Sequence, residues 1–126
     1  MQVKIDTRER FHVITIAETA LAANMTADLE KCLLPLLENE VRNVVLVLKD
    51  IQNVNNAAAE SLVKIQQSFY DSGYSFVICE LTPEVEKSLE TSNLLELMNV
   101  VPTVSEAGDI VQMEEVEREL LNGEDL

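Results

Sequence analysis

The sequence predicts an α/β domain with a mixed central β-sheet of four to five strands, about four helices and an N-terminal hairpin. Two features indicate this class. Strand-like runs lie at residues 44–48 and 74–79, and an amphipathic segment follows each run. Short runs rich in β-branched residues are typical of strands buried on both faces of a sheet. Because a dozen or more residues separate successive strands, helices can cross between them, and we expect much of the sheet to be parallel.

The first strands are predicted to form the hairpin. Val3 and Ile5 point to one side, residues 7–10 form a polar turn, and residues 11–16 resume a strand pattern. Residues 19–24 are predicted to be a connection.

A first helix follows this connection. Apolar residues recur at helical spacing from Met25 to Leu37. Pro35 lies inside that pattern, and a proline removes a backbone hydrogen bond. We therefore expect this helix to be kinked or shortened.

The segment at residues 43–62 predicts a buried strand, an exposed turn and the start of a helix. Residues 51–54 form a short extended piece, and Asn55 and Asn56 then precede three alanines. Asparagine is a preferred N-cap because its side-chain oxygen accepts a bond from a first-turn N–H, and alanine extends a helix well. Such an element often presents a recognition or modification site.

The second half of the chain continues the alternation. The helix after the turn is expected to end at the glycine of residues 71–73, and Thr82 and Pro83 have the order of a cap and first residue of the next helix. Residues 100–103 predict a short edge strand. A last helix is predicted to end at residues 122–123, with an apolar face of Ile110, Met113, Val116 and Leu120. This face and the cluster at residues 94–98 are expected to close the core, with a homodimer face as the alternative.

Charge and composition limit the classes of partner. The formal net charge of −14 arises from 23 acidic and 9 basic residues. Such a surface repels phosphates and anionic lipids, so we expect no nucleic-acid partner and a neutral or basic protein surface instead. No apolar stretch approaches the roughly 20 residues of a membrane-spanning helix, so no membrane insertion is predicted. The N-terminus does not resemble a signal peptide, and Cys32 and Cys79 are expected to be buried, reduced thiols, which together favour the cytoplasm.

The sequence offers no set of residues for catalysis. His12 is the only histidine, lies inside a strand pattern and is expected at the surface or on an edge strand. A glycine-rich phosphate loop and metal-ligand spacings are absent from the sequence. We therefore predict a non-enzyme with no cofactor and no metal.

The order of elements and two local patterns resemble the STAS domain (sulfate transporter and anti-sigma factor antagonist). In that family a buried strand such as VVVDLSGV is followed by Ile-Asp-Ser-Ser-Gly and a helix; here residues 44–51 are followed by residues 54–58. Residues 76–98 are similar to the later family pattern that begins Leu-Val-Asn-Pro-Ser-Pro. The resemblance covers almost the whole chain and implies a single STAS domain over residues 1–126.

The chain departs from the family at the position that matters for regulation. In phospho-regulated antagonists, an anti-sigma factor kinase phosphorylates the first serine of Asp-Ser-Ser-Gly. That position is Asn56 here, and serine and threonine are absent between Lys49 and Glu60. Asparagine has no hydroxyl to phosphorylate and no charge to imitate phosphoserine. Ser61 is the nearest hydroxyl and is expected to be structural.

The resemblance implies a protein-binding module that regulates transcription in bacterial signalling by docking on an anti-sigma factor with a kinase-like ATP-binding fold. The implied contact residues are Asn53, Asn55, Asn56, Ala57, Glu60 and Lys64. Two alternatives remain open at this point: an accessory STAS subunit of an ABC-type lipid transporter, and a scaffold in a multi-protein sensory assembly.

Overall fold

A computed structural model describes residues 1–123. The strands are β1 (Val3–Thr7), β2 (Phe11–Ile16), β3 (Ala20–Leu21), β4 (Asn43–Val47), β5 (Asn53–Val54), β6 (Phe76–Cys79) and β7 (Val100–Val101). The helices are α1 (Thr26–Leu33), α2 (Asn56–Asp71), α3 (Pro83–Thr91) and α4 (Val104–Gly123). Short 3₁₀ helices lie at Ala23–Met25, Leu34–Glu38 and Leu95–Leu97.

Five strands form one mixed sheet in the order β1-β2-β4-β6-β7. The hairpin pair β1–β2 is antiparallel, with Val3 opposite Ile16, and the other three pairs are parallel. The predicted mixed α/β sheet, its N-terminal hairpin and its short edge strand at residues 100–103 are therefore confirmed. The residues predicted as a connection at 19–24 also contain β3, which pairs with β5 in a separate two-stranded sheet.

Side chains alternate along the parallel strands and so point to both faces of the sheet, and helices cover both faces. Val44 and Leu46 of β4 belong to the larger core, which α1, α2 and α3 close. Val45 and Val47 belong to the smaller core, which includes Ala107 and Val111 of α4. The fold thus places α2 and α4 on opposite faces of the sheet.

Three sequence signals act where they were predicted. Helix α1 ends at Leu33, and Pro35 lies in the 3₁₀ helix that follows it. Gly73 ends α2 in the left-handed region at φ +84°. The side chain of Thr82 caps α3 by accepting a hydrogen bond from Val85 N–H.

Both cysteines are free thiols, as predicted, but only one is fully enclosed. Cys79 is buried in β6, and Cys32 is half-buried in α1. Burial, with a smaller contribution from the nearby Glu80 carboxylate, raises the pKa of the Cys79 thiol to about 12. This thiol is therefore protonated at neutral pH.

His12 does not lie at the surface or on an edge strand, so that expectation is wrong. Strand β2 pairs with β1 on one side and β4 on the other, and this position buries the imidazole. Its Nε2 lies 2.8 Å from the carbonyl oxygen of Val41, and its Nδ1 lies 2.8 Å from the hydroxyl oxygen of Thr7. Since a carbonyl only accepts, Nε2 donates its proton to Val41. Both ring nitrogens are therefore used in hydrogen bonds within the fold.

The expectation that the apolar face of the last helix closes the core is wrong for three of its four residues. Ile110 packs against the smaller core, as expected, but Met113, Val116 and Leu120 are exposed. Within residues 104–121 of this helix, the fully buried residues are Ala107 and Val111. The helix comes close to the sheet at Gly108, where a Cβ would lie 3.1 Å from the Phe11 ring. The cluster at residues 94–98 does help to close the core, because Met98 is buried in it and Leu94 and Leu95 pack against it. Leu97 is the exposed leucine of this cluster.

Within residues 1–123, none of the helices combines the length and apolar character needed to cross a membrane. In the same part of the chain, histidine, cysteine and carboxylate side chains form no group of three that could hold a metal ion.

Candidate functional site

The turn before α2 is held in place by main-chain hydrogen bonds to the segment that contains β3. Gln52 N–H donates to the carbonyl of Thr19 (2.7 Å), and Asn55 N–H donates to the carbonyl of Leu21 (2.8 Å). Between these two bonds, β5 pairs in parallel with β3. The turn is therefore fixed at both ends, which positions the first residues of α2 before any partner binds.

Asn55 is the N-cap of α2, as the sequence predicts. Its backbone is extended (φ −70°, ψ 145°), and its Oδ1 accepts a hydrogen bond from Ala57 N–H at 2.8 Å. Its carbonyl accepts a bond from Ala59 N–H at 3.0 Å. One of the unpaired first-turn N–H groups is thereby satisfied without any charged group at the helix N-terminus.

The six residues implied as contacts are all exposed and lie at or near the start of α2. Ala58 and Ala59 are buried between them, because their side of the helix packs on the sheet. Asn56, Glu60 and Lys64 are spaced four residues apart and therefore share one side of the helix. The exposed set consists of Asn53, Asn55, Asn56, Ala57, Glu60 and Lys64.

Charged side chains of both signs lie near this turn. Glu84 and Lys87 line one groove with Asn56, and Glu18, Lys49 and Asp50 line another with Gln52.

A groove of about 620 Å³ lies beside Asn56, between α2 and α3. Its α3 side is polar, with the exposed residues Lys87, Ser88 and Thr91 in its lining. Sequence reasoning missed this side of the site because it depends on the order of the strands: β4 lies next to β6, and α3 then lines the same groove as Asn56. The polar spacing of residues 84, 88 and 91 was the available signal.

Ser61 and Thr82 are hydroxyl residues that could replace the missing serine, but neither is presented to solvent like Asn56. Ser61 is only 7% exposed, and its Oγ has no hydrogen-bond partner among the described residues. The half-buried Thr82 donates to the carbonyl of Ile51 (3.1 Å) and caps α3. The expectation that Ser61 is a structural residue is consistent with its burial.

These features define a small α/β domain with a mixed sheet whose central strands are parallel. The domain presents the start of α2 at its surface, after a turn that is held by hydrogen bonds. The family model of the STAS domain matches residues 2–107. The chain belongs to the STAS domain family.

One relative by sequence is a Thermotoga maritima protein described as "Putative anti-sigma factor antagonist". It is 30% identical over 82 residues, which span 65% of this chain and 68% of the relative.

Solved structures share the fold at low sequence identity. A crystal structure of a Thermotoga maritima protein with the same description is 21% identical, with a TM-score of 0.73 over 87% of this chain and 94% of that chain. A variant of RsbS from Moorella thermoacetica is 19% identical, with a TM-score of 0.73 over 94% of this chain and 99% of that chain.

Proposed function

We propose that this chain is a single-domain anti-sigma factor antagonist that binds proteins and has no enzymatic activity. It docks, in the cytoplasm, on an anti-sigma factor with a kinase-like ATP-binding fold and so regulates transcription. The contacts are made by the turn and first turns of α2, through Asn53, Asn55, Asn56, Ala57, Glu60 and Lys64. The Thermotoga maritima relative supports the class of function.

The observation that carries this proposal is the exposed, neutral Asn56 at a helix start that is already capped. A phosphoserine at this position would bring a charge of about −1.5 to −2. Asn56 cannot acquire that charge, so the docking surface stays in its unmodified form. The antagonist is then controlled by its abundance or by a second binding event, and not by phosphorylation of the turn.

The test compares three baits in affinity capture from lysate of the source cells, with mass spectrometry to identify what is held. The baits are wild type, Asn56→Asp and the control Asn39→Asp. Asn39 is exposed and follows the 3₁₀ helix at residues 34–38, at the other end of β4. The same change of amide to carboxylate is therefore made once inside the proposed interface and once outside it.

We expect wild type and Asn39→Asp to hold a kinase-fold anti-sigma factor and Asn56→Asp to lose it. A buried unpaired carboxylate should weaken binding at least about tenfold, which corresponds to 1.4 kcal/mol. Titration of the purified partner measures that ratio. Equal binding by all three baits, or capture of a transport ATPase instead, would contradict the proposal.

Restoring the hydroxyl provides a gain-of-function test. With the captured anti-sigma factor and Mg-ATP, Asn56→Ser should gain the mass of one phosphoryl group and then dissociate. Wild type should stay unmodified and bound. Phosphorylation of wild type within residues 50–64 would show that Ser61, the one hydroxyl residue of that segment, has taken over the switch.

A further inference from the structure

The outer side of α4 carries an apolar stripe that the fold leaves uncovered. Met113, Val116 and Leu120 are 52%, 46% and 64% exposed. Residues three and seven positions apart lie on one side of a helix, so the three side chains form a continuous row. Because Ala107 and Val111 face the sheet, this row lies on the opposite side of the helix from the core.

The charged residues that flank the stripe within the described part of α4 are all acidic. Glu117 and Glu119 are exposed on either side of it, and Asp109 precedes it one turn away from Met113. The one basic residue of α4 is Arg118, which turns towards the sheet and donates to Ser75 Oγ at 2.8 Å. The surface therefore offers a partner an apolar centre with a negative rim.

The spacing of the stripe matches the seam of a helix pair. If Met113 is assigned to heptad position a, Val116 occupies d and Leu120 the next a. Glu117 and Glu119 then occupy e and g, the positions whose charges select the partner helix. Two copies paired antiparallel through this seam would set Glu117 against Glu117 and Glu119 against Glu119, which disfavours self-association.

We propose that the outer side of α4 is a second docking surface, and that it binds an amphipathic helix of another protein with lysine or arginine beside its apolar seam. The surface is separate from the α2 site because the sheet lies between the two helices. The stripe also lies beyond residue 107, where the family match ends. Both surfaces can be occupied at once, so the chain can link two proteins. This inference does not depend on the function proposed for α2.

The probe is a synthetic helical peptide of about three heptads with leucine at a and d and lysine at e and g, since shorter isolated helices are marginal in water. A matched peptide carries glutamate at e and g. Fluorescence anisotropy measures the binding of each to the whole chain. Because any basic peptide is attracted to a protein of charge −14, variants must separate specific docking from general attraction.

Two double variants and one control make that separation. Val116→Ser with Leu120→Ser removes the apolar centre and keeps the charge. Glu117→Lys with Glu119→Lys reverses the rim. Leu97→Ser is the control, because Leu97 is an exposed apolar residue (53%) outside α4.

We expect wild type and Leu97→Ser to bind the lysine peptide equally, and the serine double variant to bind it at least tenfold more weakly. The rim-reversed variant should prefer the glutamate peptide. Equal binding of the lysine peptide by wild type and the serine double variant, or no binding by wild type, would overturn the proposal. Sedimentation that detects a dimer of wild type, lost in the serine double variant, would assign the stripe to a second copy and also overturn it.

Discussion

The side-chain amide of Asn43, at the start of β4, donates a hydrogen bond to the carboxylate of Glu115, 72 residues further along the chain in α4. The same amide donates to the carbonyl of Arg10 (3.0 Å), and its oxygen accepts from Ser75 N–H (2.7 Å). One buried side chain thus joins the amino ends of three neighbouring strands to the helix that covers them. The network at the amino ends of these strands therefore holds α4 on the sheet. The candidate site lies at the opposite ends of the strands.

Replacing Asn43 by alanine should lower the free energy of unfolding by about 2–4 kcal/mol, because the buried Ser75 N–H and the Glu115 carboxylate both lose a partner. Urea denaturation measures this change. The matched control is Asn39→Ala, at an exposed position, which should stay within about 0.5 kcal/mol of wild type. If both variants were equally stable, the network would contribute nothing to the attachment of α4.

Ser61→Ala should stabilise the protein by about 1 kcal/mol. The Ser61 hydroxyl is buried and finds no hydrogen-bond partner within residues 1–123. Such burial is costly, and alanine is the better residue inside a helix. Ser68→Ala is the control in the same helix, because Ser68 Oγ donates to the carbonyl of Lys64 (3.2 Å); it should change stability by less. A fall in melting temperature for Ser61→Ala would mean that the hydroxyl does make a stabilising bond.

Tyr70 should make the stability of the protein decrease at alkaline pH. Burial, followed by the hydrogen bond to Glu114 and the charge of that carboxylate, raises the pKa of the Tyr70 phenol to about 12. The value in an unfolded chain is about 10. Since the folded pKa is the higher one, this contribution to stability is complete below pH 10 and is lost as the pH rises through 12.

The measurement for Tyr70 is the free energy of unfolding at pH 9, 10 and 11 for wild type and Tyr70→Phe. The decrease over this range should be shallower in the variant. Cys79, whose pKa is also raised to about 12, contributes to both proteins equally, so the difference isolates Tyr70. Parallel curves would contradict the assignment.

The sequence predicted the elements well where one local rule dominated. Four signals depend only on residues close to them in sequence, and the structure confirms each one. They are the β-branched run at residues 44–48, the cap at Asn55, Pro35 after α1 and Gly73 after α2. Strand β3 escaped prediction because Ala20 and Leu21 have no β-branched side chains, unlike Val100 and Val101 of the equally short β7. It is defined by its pairing with β5, which is a long-range contact.

The errors concern which side of an element faces the core. His12 was expected at an edge because strand order cannot be deduced from a single strand pattern. In α4 the apolar spacing of Met113, Val116 and Leu120 resembled a core face, but Ala107 and Gly108 allow a closer approach to the sheet than larger side chains would. Helical periodicity identifies an apolar face and does not reveal what covers it. The α3 side of the groove at Asn56 was missed because it too depends on the order of the strands in the sheet.

Asn55 offers a way to separate the stability of the candidate site from its binding. Asn55→Ala removes the acceptor for Ala57 N–H and should cost about 1 kcal/mol, whereas Asn55→Asp keeps an acceptor and places a negative charge at a helix N-terminus, where it is favourable. We therefore expect the aspartate variant to be at least as stable as wild type in urea denaturation.

If the turn is the docking surface, Asn55→Asp should nevertheless bind the partner more weakly, because it carries a charge into a neutral interface. Asn55→Ala should bind with nearly wild-type affinity at temperatures where it is folded. The opposite ranking, with the aspartate variant bound tightly and the alanine variant bound weakly, would mean that the partner depends on the cap itself and not on the neutrality of the turn.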